Sequence, residues 1–208
     1  MKPVFSEGGA GIFSPASGVR VVLASGSPRR RQFLEEWGLP FTVRPAESEP
    51  APLPEESPEH LVLRSARAKL VSSGHCPGEL VIAADTVVAC SGAVLGKPAD
   101  DEQALEMLLG LSGREHSVIT GVALAFPDGT ETAFTDMSRV RFHDWDRAVL
   151  KSYVRTGECR DKAGAYAIQG RGAFLVASVE GSWSTVVGLP ASRLAEILLE
   201  GGWIVPAL

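Results

Sequence analysis

The chain has 208 residues, of which 45% are hydrophobic and 22% charged, and its net charge at pH 7 is −5. This length predicts one domain, or one domain with two lobes. The negative net charge means that no global basic field attracts nucleic acid, so positive residues would have to act locally. No apolar run reaches the roughly 18 residues of a membrane span. Three widely separated cysteines, Cys76, Cys90 and Cys159, form neither a disulfide framework nor a zinc site, so we expect a cytoplasmic protein.

The first 18 residues are rich in glycine, serine and proline. They lack the basic start and apolar block of a signal peptide, and their composition is typical of disorder. We therefore predict a disordered extension over residues 1–18 and a single folded domain over residues 19–208.

A short apolar run, residues 21–24, leads into a segment with two serines and three arginines. Ser27 is a suitable N-cap and Pro28 suits the first position of a helix, so the pattern predicts a strand followed by a helix. Positive charge at a helix N-terminus opposes the helix dipole, so Arg29 and Arg30 favour an external anion there. The alternative is a basic first turn that is simply solvated.

The next helix begins at Ser57-Pro58 and runs to about Ser72. Its small and apolar residues recur at a spacing of three and four, and Lys69 lies on the same face. A lysine on such a face either extends its ammonium to the surface or points into a crevice. The acidic loop before this helix offers four candidate metal ligands, although an acidic loop is more often only solvated: Glu47, Glu49, Glu55 and Glu56.

Five consecutive apolar residues, 80–84, end at Asp85 and Thr86. An apolar run without alternation is typical of a strand buried on both faces. Ligands of open α/β sheets bind beyond the carboxyl ends of the strands, so Asp85 occupies a position where chemistry is usually done. The alternative is a solvated aspartate at an ordinary strand exit.

The second half of the chain contributes two further candidates. A hairpin around Ser91-Gly92 returns Lys97 toward the next helix, and Gln169 lies on a glycine-rich loop, residues 158–172. His116, on a long alternating strand, is expected at the edge of the core or on the surface. Cations clamp phosphates while a carboxylate, with a divalent metal, prepares a water for in-line attack, so the residues indicate phosphate chemistry.

At this point the chain resembles the Maf family of nucleoside triphosphate pyrophosphatases. Six ordered motifs carry the resemblance: residues 23–30 (LASGSPRR), 84–88 (ADTVV), 95–98 (LGKP), 111–113 (LSG), 161–170 (DKAGAYAIQG) and 187–190 (VGLP). The resemblance implies a two-lobed α/β fold with a twisted mixed β-sheet flanked by helices, similar to inosine triphosphate pyrophosphatases, and an active cleft between the lobes. It also implies a homodimer.

The activity implied by the resemblance is cleavage of a nucleoside triphosphate between its α and β phosphates, with Mg²⁺ or Mn²⁺. Asp85 matches the family's proton acceptor and metal ligand. The positions that handle phosphate in the family match Ser25, Arg30, Lys69 and Lys97.

Substrate choice is implied by three further positions. Arg29, Thr86 and Gln169 match the branch that acts on dTTP and UTP, as does the loop sequence Lys-Ala-Gly-Ala at 162–165. One position departs from the family: Pro50 stands where a glutamate usually ligates the metal, and Glu49 precedes it. Either Glu49 takes this role through a shift of one residue, or the metal site is weakened.

Two alternatives compete with the dTTP/UTP pyrophosphatase. One is a broader pyrophosphatase that removes modified pyrimidine or purine triphosphates. The other is a non-catalytic or dual-role regulator of cell division, but binding alone does not require a carboxylate among cations.

Overall fold

The computed structural model describes residues 11–46 and 50–207. The strands of this part of the chain are β1 (Phe13–Pro15), β2 (Arg20–Leu23), β3 (Phe41–Val43), β4 (Glu79–Cys90), β5 (Ala93–Leu95), β6 (Glu115–Ala125), β7 (Glu131–Phe142), β8 (Val176–Glu180) and β9 (Ile204–Pro206). The helices are α1 (Pro28–Glu36), α2 (Pro58–Ser73), α3 (Asp101–Leu111), α4 (Arg147–Val154), α5 (Trp183–Val187) and α6 (Ala191–Glu200). Two 3₁₀ segments, Ala163–Ala165 and Gly170–Leu175, lie between α4 and β8.

A seven-stranded mixed sheet connects these elements. Its strand order is β3-β2-β4-β6-β7-β8, and β5 pairs with β4. Strand β2 is parallel to both β3 and β4, whereas the β4–β5 and β7–β8 pairs are antiparallel. The predicted α/β class with a twisted mixed sheet and flanking helices is confirmed.

The chain divides into two compact units. Unit 1 contains residues 1–85, 121–135 and 188–208, and unit 2 contains residues 86–120 and 136–187.

In unit 1, helix α2 packs closely on β2, β4 and β6. The buried residues of this cluster are mostly small: Val22, Ala24, Ala66, Leu70, Val81, Ala83, Ala123 and Ala125. Gly121 on β6 allows the closest approach, because a Cβ atom there would lie 2.6 Å from the carbonyl carbon of Val62 in α2. This close packing sets the distance between α2 and the sheet, and it thereby sets the position of Lys69 on α2.

In unit 2, the core forms between α3, α4 and the inner faces of the strands. Its largest buried members include Leu108, Phe142, Leu150 and Tyr166. His116 is 3% exposed and lies edge-on to the rings of Phe142 and Tyr166. The prediction that His116 lies at the core edge or surface is therefore wrong, since its ring packs inside this aromatic group.

The predicted disordered extension is also wrong for residues 11–18. Strand β1 pairs with β9 in an antiparallel two-stranded sheet, with Phe13 opposite Pro206. The Phe13 ring lies 5.5 Å from the ring of Trp37, and the backbone N–H of Phe13 donates to the Trp37 carbonyl. These contacts come from residues distant in sequence, so local composition could not reveal them. Residues 1–10 lie outside the described residues.

One strand boundary also differs from the prediction. Strand β4 does not end near Asp85 but continues to Cys90. Helix α4 is capped by Asp146, whose carboxylate accepts the Val149 N–H. Residues 183–187 form a short helix. Among the described residues, no helix combines the length and apolar character needed to cross a membrane.

Candidate active site

Asp85 and Lys69 form an ion pair in unit 1. Strands β2 and β4 are parallel, and their last paired residues are Leu23 and Ile82. Asp85 on β4 therefore lies three residues beyond the end of this pairing. The Lys69 ammonium donates to Asp85 Oδ1 at 2.7 Å. The exposed fractions of the two side chains are 8% for Lys69 and 17% for Asp85. Lys69 therefore points inward and does not extend to the surface.

This ion pair orients the carboxylate more than it stabilises the fold. Removing two charges from water offsets much of the attraction between them, so a buried pair contributes little net free energy of folding. Loss of one partner, however, leaves a charge without compensation. The Lys69 bond occupies one carboxylate oxygen of Asp85 and so restricts the orientation of the group.

Ser25 and Arg30 are joined by a hydrogen bond at the start of α1. Arg30 Nη1 donates to the Ser25 hydroxyl oxygen at 3.0 Å, and the Ser27 N–H donates to the same oxygen at 3.2 Å. Arg30 Nε donates to the Gly188 carbonyl at 2.8 Å. Because the Ser25 oxygen accepts both of these bonds, its own proton is oriented away from them. Arg30 is only 8% exposed, so it ties α1 to the Gly188 segment as well as carrying charge.

Helix α1 begins as predicted, but its cap differs. Ser27 is the N-cap residue in an extended conformation, yet its side chain makes no capping bond. The neighbouring Ser25 oxygen takes the Ser27 N–H instead. Arg29 is half-buried in the first turn of the helix.

Lys97 lies in unit 2, directly after the predicted hairpin, which is confirmed by the pairing of Cys90 with Ala93. Its side chain is exposed. The carbonyl of the preceding Gly96 accepts the N–H of Gly164 at 3.1 Å. Gly164 has a φ angle of +67°, and a Cβ atom there would lie 3.0 Å from Val88, so only glycine fits this contact comfortably.

Gln169 lies on a loop of unit 2 that is clamped on both sides. The Ala167 N–H donates to the Tyr153 hydroxyl at 3.2 Å. After Gln169, the N–H groups of Arg171 and Gly172 donate to the Glu158 carboxylate at 3.0 and 2.8 Å. Burial raises the pKa of Tyr153 well above its usual value, so the phenol stays neutral. The half-buried Gln169 side chain therefore projects from a fixed backbone.

Thr86, the residue after Asp85, begins unit 2 and is half-buried. Its hydroxyl lies 2.9 Å from the hydroxyl of Thr120 on β6. Thr120 itself is fully buried. The Thr86 hydroxyl thus contacts Thr120, a residue that the sequence analysis did not identify.

The predicted metal ligands are only partly described. Glu47 and Glu49 lie outside the described residues. Arg64 forms a bidentate ion pair with Glu56: Arg64 Nε donates to Oε1 at 2.7 Å and Nη2 donates to Oε2 at 2.6 Å. These hydrogen bonds lower the Glu56 pKa to about 2. Glu56 thus holds the start of α2. Within residues 11–46 and 50–207 no three acidic, histidine or cysteine side chains converge as a metal cluster would require.

The chemistry of Asp85 nevertheless fits a hard divalent cation. Mg²⁺ prefers oxygen ligands and is commonly held by one or two carboxylates together with the phosphates of a substrate. Asp85 supplies one such carboxylate, with the Ser25 hydroxyl at the end of the adjacent parallel strand.

The structure thus joins Lys69 to Asp85 and Ser25 to Arg30 in unit 1, and it supports Thr86 and Gln169 separately in unit 2. Sequence reasoning missed Thr120, Tyr153 and Glu158. Glu158 stands inside the glycine-rich loop that the sequence identified, but a carboxylate bound to backbone N–H groups has no sequence signature of its own.

Comparison with known proteins adds sequence matches over nearly the whole chain. A family model described as Maf-like protein matches residues 20–201, a range that includes all of the predicted site residues. A dTTP/UTP pyrophosphatase of Nitratidesulfovibrio vulgaris is 51% identical over 187 residues, which cover 88% of this chain and 89% of that protein. A dTTP/UTP pyrophosphatase of Oleidesulfovibrio alaskensis is 46% identical over 192 residues, covering 90% and 87%.

Among solved structures, a HAM1 protein from Coxiella burnetii is similar with a TM-score of 0.49 and 16% identity, covering 88% of this chain and 99% of that chain.

Proposed function

The chain belongs to the Maf family, and from this premise we propose that it hydrolyses dTTP and UTP to the nucleoside monophosphate and pyrophosphate. The observation that carries the proposal is the contact of Lys69 with Asp85 at 2.7 Å, which holds a carboxylate in place beyond the end of strand β2. The names of the similar proteins support the substrate class.

Asp85 is the proposed general base. Lys69 binds Oδ1, so Oδ2 is the oxygen that we assign to the proton of the attacking water. The ammonium of Lys69 keeps the carboxylate in one orientation, and this reduces the reorganisation needed when water is deprotonated.

The phosphate chain is the proposed ligand of four side chains. Ser25 accepts two hydrogen bonds on its oxygen, so its proton can be donated to a phosphate oxygen. Arg30 holds Ser25 in this orientation and adds positive charge, while Lys69 and the exposed Lys97 supply further cations. Positive charge and directed donors stabilise the negative charge that develops when a phosphoanhydride breaks.

A divalent cation, Mg²⁺ or Mn²⁺, is proposed as the cofactor. Asp85 would hold it, and Glu49 is the second ligand that the sequence offers. When bound, the cation neutralises charge on the phosphates.

Base selection is assigned to Gln169, Thr86 and Arg29. An amide offers both a donor and an acceptor, which matches the carbonyl and ring-nitrogen edge of a pyrimidine. The clamps at Tyr153 and Glu158 hold the Gln169 backbone in place for this contact.

The protein is further proposed to act in the cytoplasm as a homodimer, without nucleic acid or membrane as a partner. Light scattering on the purified protein measures the mass in solution, and a monomer at working concentration contradicts the dimer. No feature of the described residues favours the alternative role as a non-catalytic regulator of cell division.

The test of the proposed function is product analysis with a panel of common nucleoside triphosphates, in the presence of Mg²⁺ or Mn²⁺. We expect UMP and pyrophosphate from UTP, dTMP and pyrophosphate from dTTP, and weaker hydrolysis of GTP and 7-methyl-GTP. Release of UDP and inorganic phosphate, or no hydrolysis of any triphosphate, contradicts the proposal. Equal rates on all nucleotides favour the broader pyrophosphatase.

A further inference from the structure

Residues 111–113 (LSG) form one of the six sequence motifs, but they have no part in the proposed chemistry. The Ser112 hydroxyl accepts the backbone N–H of Trp145 at 2.7 Å and donates to the carbonyl of the same residue at 2.9 Å. The Gly113 N–H donates to the carbonyl of His143 at 3.1 Å. The motif therefore attaches the end of α3 to the connection between β7 and α4.

This connection also holds the far end of the 3₁₀ segment Gly170–Leu175. The His143 N–H donates to the Leu175 carbonyl at 3.0 Å. The ring of Trp145 lies 5.4 Å from the ring of Phe174 in an edge-on arrangement, which is favourable for aromatic pairs. The far end of the segment thus depends on residues whose backbone Ser112 holds.

The near end of the same segment begins directly after Gln169. There the Glu158 carboxylate accepts the N–H groups of Arg171 and Gly172. A segment attached only at its start can turn about that point, and the Gln169 side chain turns with it. Binding groups must be held within about 0.5 Å and 10–20° of their working geometry, so the second attachment matters for Gln169.

The Ser112 hydroxyl is not needed to end α3. The backbone N–H of Ser112 makes the helix cap by donating to the Leu108 carbonyl at 2.9 Å. The hydroxyl bonds Trp145 instead, a residue 33 positions away in the sequence. Replacing the hydroxyl therefore leaves the helix cap in place and removes the attachment to the connection.

We propose that Ser112 is a positioning residue for base binding. It holds the connection between β7 and α4, this connection holds the far end of the segment Gly170–Leu175, and the segment sets the direction of the Gln169 side chain. The inference rests on the proposed function, in which Gln169 meets the base. Ser112 contacts the protein backbone and acts on the nucleotide only through Gln169.

The first experiment tests the attachment without any substrate. Amide hydrogen exchange over residues 170–175 is measured in the wild type, in Ser112→Ala and in the control Ser152→Ala. The exposed Ser152 hydroxyl bonds only the Ala148 carbonyl of its own helix, α4. We expect exchange to be about fivefold faster in Ser112→Ala and unchanged in Ser152→Ala, because the segment opens more often when one end is loose. Wild-type exchange over residues 170–175 in Ser112→Ala overturns the inference.

The second experiment measures kcat and KM for UTP in the same three proteins. A base contact is equally strong in the bound substrate and in the transition state, so weakening it raises KM and leaves kcat unchanged. We expect KM to rise about fivefold in Ser112→Ala, with kcat within about twofold of wild type. A merely structural role lowers kcat through loss of folded enzyme and leaves KM unchanged, and that result overturns the inference. If Ser112→Ala does not fold, Phe174→Ala removes the ring contact at the same attachment, and the same outcomes decide.

A double-mutant cycle tests whether Ser112 acts through Gln169. In a Gln169→Ala background, Ser112→Ala should change KM for UTP by less than about twofold, because the side chain that it positions is gone. A full fivefold rise in that background overturns the inference. If the wild type hydrolyses no triphosphate, the proposed function fails while hydrogen exchange still tests the attachment. Equilibrium binding of UTP then replaces KM: weaker binding in Ser112→Ala supports the inference, and equal or absent binding overturns it.

Discussion

The two units differ in the charged side chains that they bury. Among the described residues, the charged side chains classed as buried are Arg30, Lys69 and Glu79, and all three belong to unit 1. Unit 2 buries no charged side chain among the described residues, but it buries His116 and four hydroxyl side chains: Thr120, Ser138, Ser184 and Thr185. Three serines are buried in unit 1 as well: Ser25, Ser65 and Ser73.

This difference separates two tasks. A buried charge is costly unless it is paired, so the charges of unit 1 are fixed by partners such as Asp85 for Lys69. Arg30 and Lys69 are the two assigned to phosphate binding and to holding the proposed base, tasks that are the same for every nucleotide. The proposed base-selecting groups of unit 2, Thr86 and Gln169, are uncharged, but their hydrogen bonds have a direction, which suits the distinction between bases. The following changes test this division, beginning with the largest expected effect on turnover.

Asp85→Asn removes the charge and basicity of the proposed general base and keeps its size. Turnover of UTP should fall by roughly a hundredfold or more, which is the usual contribution of a positioned base. The measurement is pyrophosphate release at saturating UTP, with the exposed Asp144→Asn variant as the control that keeps wild-type turnover. Near-normal turnover of a folded Asp85→Asn protein excludes Asp85 as the base.

Gln169→Glu replaces the amide donor of unit 2 by an acceptor, so a pyrimidine carbonyl loses its partner. The loss of one buried hydrogen bond costs about 1–3 kcal/mol, which corresponds to about a five- to hundredfold loss of kcat/KM for UTP and dTTP. GTP and 7-methyl-GTP, whose guanine edge presents donors, should lose less or gain. The exposed Gln103→Glu variant is the control, and an unchanged pyrimidine-to-guanine ratio removes Gln169 from base selection.

Glu49→Gln tests the proposed cation. If Glu49 is a ligand, the Mn²⁺ concentration for half-maximal rate should rise by about tenfold, on the scale seen when groups around a metal are changed. Glu47→Gln, two residues away in the same acidic loop, is the matched control and should leave it unchanged. If both variants titrate like the wild type, this loop supplies no metal ligand.

His116 should matter for stability and not for turnover. Burial lowers the His116 pKa from 6.5 to about 4, because a charged ring has no solvation inside unit 2. Between these values the unfolded chain binds a proton that the folded chain does not, so the stabilising effect is complete above about pH 6.5 and is lost as the pH falls toward 4. The loss should be on the order of 3 kcal/mol.

Urea unfolding at pH 7.5 and at pH 5 measures this effect. His116→Gln cannot take up the proton, so its free energy of unfolding should depend less on pH than that of the wild type. The exposed His143→Gln variant should retain the wild-type dependence. A wild-type pH dependence in His116→Gln would show that another group titrates in this range.

Asp85 and Lys69 could be predicted from the sequence because a charged residue within an apolar pattern is conspicuous. Asp85 follows five apolar residues, and Lys69 shares a helix face with small and apolar side chains. Both patterns are local, and the structure joins the two residues directly.

The remaining features depend on partners distant in sequence. Arg30 was predicted to meet an external anion, but it also bonds the Gly188 carbonyl, 158 residues away. Thr120 looked like an ordinary residue of an apolar strand until its contacts with Thr86 and Thr185 were known. Strand β1 was hidden because its partner β9 lies at the other end of the chain.

The most direct test of the separation between hydrolysis and base selection is the UTP-to-GTP ratio of kcat/KM, measured in the wild type, Asp85→Asn and Gln169→Glu. Asp85→Asn should lower both efficiencies by a common factor and leave the ratio within about twofold of wild type, because it acts on the step that all nucleotides share. Gln169→Glu should lower the ratio at least about fivefold. If Asp85→Asn changes the ratio as much as Gln169→Glu does, hydrolysis and base selection are not carried by separate groups of residues.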